Sequence, residues 1–230
     1  MLATCIALAK EKNLERTILF DLDGTLLDSQ LGIVRCINYA LERLGAPTRH
    51  ESELVSMIGP PLYKGFGRLL QTDDDTTLRT AIAAYRERYD GIGIYECSLY
   101  DGVKDAVAAL HQAGHPIHLV TAKPERYAER SLAHVELDSM VKGIYGPTLD
   151  DHRDGKAHLI RRAISGENIE PATAVMIGDR DRDLLGAKEV GISCIGALWG
   201  YGSADEISAC SPDAVAATPG DIVALLDSLG

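Results

Sequence analysis

The residues best suited to chemistry in this chain are aspartates that follow short apolar runs. Asp21 and Asp23 come directly after 17–20, a run typical of a buried strand, and Asp179 follows a similar run with Asp183 four residues further on. Carboxylates that meet in one place raise one another's pKa unless a cation lies among them. Because an all-oxygen ligand set selects a hard cation, we expect these four aspartates to bind Mg²⁺.

The spacing of the first two aspartates suits phosphoryl transfer. That reaction needs an in-line nucleophile and cationic stabilisation of the transferred group. A carboxylate is a competent nucleophile, and we expect Asp21 to take this role. Asp23 would protonate the leaving oxygen and then deprotonate the attacking water, which makes it the expected general acid and base. Gly24 allows the chain to turn tightly beside the phosphate.

Two further polar residues are expected to hold the phosphate. Lys156 precedes a predicted helix, where a cation opposes the helix dipole, so a functional role as a point charge is favoured over that of a solvated lysine. Thr121 ends a predicted strand and could donate its hydroxyl, although threonines also cap helices. Backbone N–H groups near Ala122 and Lys123 would complete an anion-binding nest.

Strands alternate with helices along most of the chain, which predicts an α/β fold with a doubly wound parallel sheet. Ligands bind at the carboxyl ends of such strands, so the polar residues above should meet at one edge. A helical block interrupts the pattern, and we expect a core over 1–30 and 97–230 with a helical cap over 31–96. The periodicity predicts helices over 31–44, 52–58, 62–70, 76–89, 103–112, 125–135, 157–164, 183–190 and 221–226, and strands over 17–20, 116–120, 143–145, 174–177 and 193–195.

These motifs resemble those of a known superfamily. Residues 20–29, FDLDGTLLDS, are similar to the first motif of the haloacid dehalogenase superfamily, especially its phosphoglycolate phosphatase-like branch. Val120-Thr121 resembles the second motif of the superfamily, and Lys156 resembles the third. Gly178-Asp179, followed by Asp183, resembles the fourth motif. The likeness extends from about residue 17 to the end, and it implies a Rossmann-like core with an inserted cap.

The resemblance also implies roles for individual residues. Asp21 would be the nucleophile and a metal ligand, and Asp23 the acid/base whose carbonyl oxygen also binds the metal. Asp179 and Asp183 would be acidic metal ligands. The chain departs from the branch at Arg180, where threonine or serine is usual, and at Ala122, where asparagine or serine is common.

A loop in the cap would contact the substrate if the resemblance holds. The sequence Gly59-Pro60-Pro61-Leu62 is similar to the substrate-specificity loop of this branch. Lys64, on the next predicted helix, could bind an anionic part of the substrate or could be solvated. We therefore expect substrate contacts from Gly24, Thr25, Ala122, Lys123, Gly59, Pro60 and Lys64.

Composition limits the partners and the compartment. The 230 residues carry a formal charge of −11, which disfavours binding to nucleic acid or to anionic membranes. The five cysteines form no C-x-x-C pair, and free thiols suit a reducing cytoplasm. No apolar run is long enough to span a membrane. We expect a cytoplasmic protein, a monomer or homodimer, that acts on a small molecule.

The leading hypothesis is a Mg²⁺-dependent phosphatase that hydrolyses a small phosphorylated metabolite through an aspartyl-phosphate. A phosphosugar mutase of the β-phosphoglucomutase type keeps both aspartates and is an alternative, as is a 5′-nucleotidase. Asp23 argues against a dehalogenase, which does not need a second catalytic aspartate. A non-catalytic protein on the same fold would lack one or more of Asp21, Asp23, Lys156 and Asp179, and all four are present. Phosphoglycolate, a sugar phosphate, a nucleoside 5′-monophosphate and pyrophosphate all remain possible substrates.

Overall fold

A six-stranded parallel sheet forms the centre of the computed structural model, which describes residues 15–149 and 155–229. The strand order is β5-β4-β1-β6-β7-β8, and β2 and β3 form a separate antiparallel pair. The strands in chain order are β1 (Thr17–Phe20), β2 (Leu27–Asp28), β3 (Ser98–Leu99), β4 (Ile117–Val120), β5 (Gly143–Tyr145), β6 (Ala174–Gly178), β7 (Ser193–Ala197) and β8 (Ala214–Ala216). The predicted α/β fold with a doubly wound parallel sheet is confirmed.

Helices pack against the sheet, and four α-helices lie between β2 and β3 in the chain. The helices are α1 (Gln30–Arg43), α2 (Glu51–Leu54), α3 (Leu62–Leu70), α4 (Asp75–Gly91), α5 (Val103–Gln112), α6 (Glu125–His134), α7 (Lys156–Glu167), α8 (Asp181–Val190), α9 (Ala204–Ala209) and α10 (Asp221–Ser228). Among the described residues, no helix is both long enough and apolar enough to cross a membrane.

Strand β1 lies in the middle of the sheet and is buried on both faces. Ile18, Leu19 and Phe20 are at most 1% exposed, as expected for a parallel strand covered by helices on either side. Phe20 pairs with Leu119 of β4 on one side and with Ile177 of β6 on the other. This register brings the residues that follow all three strands to the same edge of the sheet.

Helices α1 to α4 have an apolar core of their own, which includes Ile37, Leu54, Phe66 and Tyr85. Strand β2 leads into this helical segment and β3 leads out of it. The two strands pair through Leu27 with Leu99 and Asp28 with Ser98, so the entry and exit of the segment are held together. The division into a core and a cap over 31–96 stays a prediction, and residues 1–14 of that core lie outside the described part.

Short elements account for most differences from the predicted secondary structure. The helix predicted over 52–58 is present but shorter than expected, because α2 ends at Leu54 and Val55–Met57 form a 3₁₀ turn before Gly59 and two prolines. Helix α8 begins at Asp181, two residues earlier than predicted. Strands β2, β3 and β8 and helix α9 were not predicted, since runs of two to six residues carry little periodicity.

Candidate active site

Three buried aspartates meet at the carboxyl edge of the sheet. Asp21 follows β1, Asp179 follows β6, and Asp183 lies in the first turn of α8. Each offers a carboxylate oxygen, and these oxygens all lie within 4.8 Å of one another. These three side chains therefore lie close together as predicted, although they are up to 162 residues apart in sequence.

A buried lysine partly compensates this negative charge. Lys156, the first residue of α7, has its Nζ 3.0 Å from Asp21 Oδ1 and 2.8 Å from Asp183 Oδ1. It also donates a hydrogen bond to the carbonyl oxygen of Val120 at 2.8 Å. Burial lowers the pKa of Lys156, but the carboxylates of Asp183 and Asp21 outweigh that effect and raise it. The lysine is therefore a fixed cation, and it is not solvated.

Lys156 offsets only part of the negative charge, and the pKa values of two aspartates are raised. Burial, followed by the charges of Asp183 and Asp21, raises the pKa of Asp179 to about 7. Burial likewise raises the pKa of Asp183 to about 6, although Lys156 opposes the increase. A divalent cation would relieve this repulsion, and an all-carboxylate set is one that Mg²⁺ prefers. The residues present therefore fit a magnesium ion.

Asp23 has different partners. Its Oδ1 lies 2.6 Å from Lys123 Nζ and accepts a hydrogen bond of 2.6 Å from Ser29 Oγ. The side chains of Lys123 and Asp23 are 5% and 10% exposed, so this pair is well shielded from water. The Asp23 carboxylate is not among the three that could share a metal ion. It is free of the metal cluster yet close to Asp21 in the chain, which suits proton transfer.

Thr121 follows β4 and lies beside the same centre. Its Oγ1 accepts a hydrogen bond from the backbone N–H of Lys123 at 3.1 Å, which shapes the turn over residues 121–123. Thr121 and Lys123 are buried, and with Ala122 between them they line a cavity that also reaches Asp21. The predicted anion-binding turn thus faces the predicted nucleophile.

The cavity has a volume of about 130 Å³ and lies between the edge of the sheet and the helical segment. Both Asp21 and Asp23 open into it. Its lining residues are Asp21, Asp23, Ile33, Met57, Gly59, Pro60, Pro61, Leu62, Ile82, Tyr85, Arg86, Tyr89, Thr121, Ala122, Lys123, Pro124, Tyr127, Pro147, Thr148 and Leu149. The nucleophile and acid/base candidates therefore share one pocket with the predicted specificity loop at Gly59 and Pro60.

A family model described as haloacid dehalogenase-like hydrolase matches residues 18–197, most of the chain. This chain is a haloacid dehalogenase-like hydrolase. The match includes the strand ends and helix starts that supply the aspartates, Thr121 and Lys156. The family predicted from the sequence motifs is confirmed.

Individual relatives of the hydrolase carry different names. A 5′-nucleotidase from Pseudomonas aeruginosa is 41% identical over 197 residues, which make up 85% of this chain and 88% of that protein. The tyrosine-protein kinase PtkA of Mycobacterium tuberculosis is 35% identical over 198 residues, covering 86% of this chain and 67% of that protein. Among solved structures, a haloacid dehalogenase-like hydrolase from Streptococcus pneumoniae superposes with a TM-score of 0.84 at 31% identity, covering 91% of this chain and 97% of that one.

Three predicted substrate contacts differ in the structure. Thr25 is fully buried and donates its hydroxyl to Asp179 Oδ1 at 3.0 Å, so it supports a metal-ligand candidate and does not line the cavity. Gly24 does not line the cavity either, because it packs against Asp179. Lys64 is exposed and outside the cavity lining, since α3 turns its neighbours Gly65 and Phe66 inward. The prediction that Lys64 contacts substrate is therefore not supported by this arrangement.

The loop after β7 contacts Asp179, and this contact was not predicted from the sequence. The backbone N–H of Tyr201 donates to Asp179 Oδ2 at 2.8 Å. A Cβ added at Gly200 would lie 2.2 Å from the Gly24 oxygen, and one at Gly202 would lie 1.9 Å from the Asp179 oxygen, so only glycine fits at either position. The two glycines flanking a tyrosine were the available signal in the sequence.

The side chain of Tyr201 ties the same loop to the start of the helical segment. Its hydroxyl oxygen accepts from the backbone N–H of Ser29 at 2.8 Å and donates to Asp28 Oδ1 at 3.0 Å. Ser29 is also the residue that donates to Asp23. The hydrolase therefore fixes both Asp179 and Asp23 through one loop.

Proposed function

We propose that this hydrolase is a Mg²⁺-dependent phosphatase that cleaves a small phosphorylated metabolite through an aspartyl-phosphate on Asp21. The main support for this proposal is that Asp21 belongs both to the buried carboxylate cluster and to the cavity lining. Its carboxylate belongs to the buried cluster with Lys156, and the residue also opens into the cavity beside Thr121 and Asp23. A carboxylate in this position can be held by cations on one side and meet a phosphorus atom on the other.

The residues of the chain account for both half-reactions. Asp21, Asp179 and Asp183 would hold Mg²⁺, with the Asp23 carbonyl as the family resemblance implies, and the ion would neutralise charge on the transferred phosphoryl group. Asp21 forms the new oxygen–phosphorus bond while the ester oxygen leaves with a proton from Asp23. Asp23 then takes a proton from water, whose oxygen attacks phosphorus and releases Asp21. Protonated Asp23 is restored at the end of the cycle.

The partners of Asp23 suit this double proton transfer. Ser29 Oγ and Lys123 Nζ both contact one oxygen, Oδ1, so the carboxylate is oriented by two donors. The other oxygen is then the one available to a leaving group or a water. Thr121 Oγ1 and the backbone N–H of Ala122 would bind the non-bridging phosphate oxygens, whereas the backbone N–H of Lys123 already donates to Thr121 Oγ1.

The substrate is proposed to be small because helices α1, α3 and α4 and the loop at Gly59 and Pro60 cover the cavity. Exclusion of bulk water from such a site strengthens electrostatic stabilisation of the transferred group. A second, more specific candidate is 5′-nucleotidase activity. The apolar, tyrosine-rich wall of the cavity favours it, and the relative at 41% identity bears that name.

The alternatives from the sequence predict different products or preferences. Phosphoglycolate has a two-carbon acid that would leave most of the apolar wall uncovered, so we place it behind nucleotides. A phosphosugar mutase would isomerise a sugar phosphate with no net release of phosphate. Release of one inorganic phosphate for each sugar phosphate consumed would contradict the mutase hypothesis.

The proposal is tested by phosphate release from a panel of phosphate monoesters, with Mg²⁺ and with EDTA. We expect turnover only with Mg²⁺, and loss of at least about 1,000-fold in kcat for Asp21→Asn because the nucleophile is removed. Asp73→Asn is the matched control, since Asp73 is an exposed aspartate outside the cavity lining. Turnover in Asp21→Asn within tenfold of the parent protein would contradict the nucleophile assignment.

We also propose that the protein acts in the cytoplasm as a monomer or homodimer. Cys36, Cys97, Cys194 and Cys210, the cysteines within the described residues, are all free thiols, which suits a reducing compartment. Size-exclusion chromatography with light scattering would distinguish a monomer from a dimer.

A further inference from the structure

Arg86 is a cation in the cavity that the proposed chemistry does not use. It lies on α4 of the helical segment, and it is one of four charged residues in the cavity lining, with Asp21, Asp23 and Lys123. Asp21 contacts Lys156, and Asp23 is paired with Lys123. Within the described part of the chain, Arg86 has no carboxylate partner, and its one side-chain hydrogen bond runs 2.6 Å from Nη2 to the carbonyl oxygen of Leu149.

The face of α4 that carries Arg86 is turned towards the cavity. Ile82, Tyr85, Arg86 and Tyr89 are spaced at i, i+3, i+4 and i+7, which places them on one side of a helix, and all four line the cavity. The guanidinium carries five N–H donors in a planar fork. One contact to a carbonyl leaves donors that can bind an acceptor on a ligand.

The wall between the predicted phosphate site and Arg86 is aromatic. Lys123 Nζ lies 5.7 Å from the centre of the Tyr89 ring, and the Tyr89 ring stacks on Tyr85 at 5.4 Å. The Tyr127 ring meets Tyr89 edge-on at 5.1 Å. A row of rings thus leads from the partner of Asp23 to the residue next to Arg86 in the chain.

We propose that Arg86 is a specificity-determining residue that binds a carboxylate or carbonyl oxygen on the organic part of the substrate. The substrate class is a phosphate monoester whose alcohol carries a flat, largely apolar ring bearing that acceptor. The ring lies along the tyrosines, and the acceptor receives hydrogen bonds from the guanidinium. This inference rests on the proposed phosphatase function and specifies its substrate.

Two sources supply the same chemistry. The carbonyl groups of a nucleobase in a nucleoside 5′-monophosphate are one, and the carboxylate of an aromatic acid is the other. Sugar phosphates lack both the flat ring and the acceptor, and the wall offers their hydroxyl groups few polar partners. They are therefore expected to be poor substrates.

Two matched pairs of substrates test the inference. The first pair is 4-carboxybenzyl phosphate and benzyl phosphate, which differ only in the carboxylate. The second is uridine 5′-monophosphate and ribose 5-phosphate, which differ in the base. The kcat and KM of each are measured with Mg²⁺ for the parent protein, for Arg86→Gln and for Arg68→Gln, a control at an exposed arginine on α3 outside the cavity lining.

We expect the parent protein to favour at least one acceptor-bearing member of these pairs by about 10- to 100-fold in kcat/KM, the range for a hydrogen bond to a charged group. Arg86→Gln should remove that preference mainly through KM, with benzyl phosphate changed less than about threefold. Arg68→Gln should leave the preference intact. The pair that shows the preference identifies the acceptor as a carboxylate or a base carbonyl.

Three results would overturn the inference. The parent protein could hydrolyse both members of each pair equally well, which would leave the phosphatase function standing without this substrate class. Arg86→Gln could lower kcat/KM equally for all four esters, which would show that Arg86 acts structurally, through its hydrogen bond to Leu149, and does not select the substrate. If the parent protein released phosphate from none of these esters nor from any of the wider panel, the proposed function would fail together with the inference.

Discussion

Lys156→Met should destabilise the protein strongly and in a pH-dependent way. The substitution removes a cation whose side chain is 2% exposed and leaves methylene groups of similar length in its place. The contacts that Lys156 Nζ makes are lost: to Asp21 Oδ1 at 3.0 Å, to Asp183 Oδ1 at 2.8 Å and to the Val120 carbonyl oxygen at 2.8 Å. Three carboxylates then remain together in a buried site without the lysine that contacts two of them.

The size of the effect follows from burial. Removal of one partner from a buried ion pair typically costs about 3–5 kcal/mol, whereas an exposed pair contributes less than about 1 kcal/mol. We therefore expect Lys156→Met to lower the free energy of unfolding by about 3–5 kcal/mol at pH 8 without Mg²⁺. Lys104→Met is the control, because Lys104 forms an exposed ion pair of 3.0 Å with Glu136.

The direction of the pH dependence follows from the raised pKa values. Asp179 and Asp183 have pKa values of about 7 and about 6 in the folded protein, above the usual 3.8, so their contribution to stability falls as pH rises from about 4 to 7. Without Lys156 the pKa of Asp183 rises further, and the loss at pH 8 grows. Below about pH 4 both carboxyl groups are protonated in the folded and unfolded chains, and this loss disappears.

Urea denaturation in EDTA at pH 5 and pH 8 measures the free energy of unfolding of the parent protein and both variants. We expect a larger difference between Lys156→Met and the parent at pH 8 than at pH 5. A difference below about 1 kcal/mol at pH 8, or one that does not change between the two pH values, would show that Lys156 does not stabilise the buried carboxylates.

Three further predictions concern the metal, the glycine packing and the acid/base. Saturating Mg²⁺ should raise the melting temperature more at pH 8 than at pH 5.5, because protons on Asp179 and Asp183 compete with the ion; scanning fluorimetry measures this. Gly200→Ala should lower stability by about 1–3 kcal/mol and reduce kcat, because its Cβ would lie 2.2 Å from the Gly24 oxygen. Ser29→Ala should lower kcat at least about tenfold with little change in KM, because Asp23 loses one of two orienting hydrogen bonds; steady-state kinetics measure this.

Each of these predictions has an outcome that would contradict it. An equal or smaller Mg²⁺ shift at pH 8 would contradict proton competition at the cluster. Gly91→Ala is the control for the glycine, since an added Cβ there meets no atom within 4 Å, and equal stability of the two alanine variants would contradict the packing argument. A Ser29→Ala enzyme within twofold of the parent in kcat would show that Lys123 alone orients Asp23.

The sequence predicted the parts of the site that depend on strand order. Asp21, Thr121 and Asp179 each follow an apolar run that forms a strand, and a parallel sheet brings the carboxyl ends of its strands to one edge whatever the sequence separation. The limits of β1, α3 and α5 were predicted as observed, whereas α1 and α8 differ from their predicted limits by one or two residues.

The parts that the sequence did not predict depend on contacts between distant segments. Asp23 and Lys123 are 100 residues apart, and nothing in the pattern of either segment shows that their charged ends meet. The approach of Gly200 to Asp179 is likewise a matter of loop packing. Lys64 was expected as a substrate contact because it lies on the predicted helix after the Gly59 loop, but it is exposed on α3 and outside the cavity lining. Arg86, in contrast, lies on the face of α4 that lines the cavity.

If Asp21 is the nucleophile, a phosphorylated form of the enzyme must exist and can be detected. Asp23→Asn keeps the nucleophile but lacks both the acid and the base. It is mixed with Mg²⁺ and p-nitrophenyl phosphate, whose leaving group needs no proton, then quenched in acid and analysed by peptide mass spectrometry. We expect one added phosphoryl group on Asp21, and none in the Asp21→Asn variant. Phosphate on another residue, or rapid turnover with no phosphorylated peptide at any quench time, would contradict it.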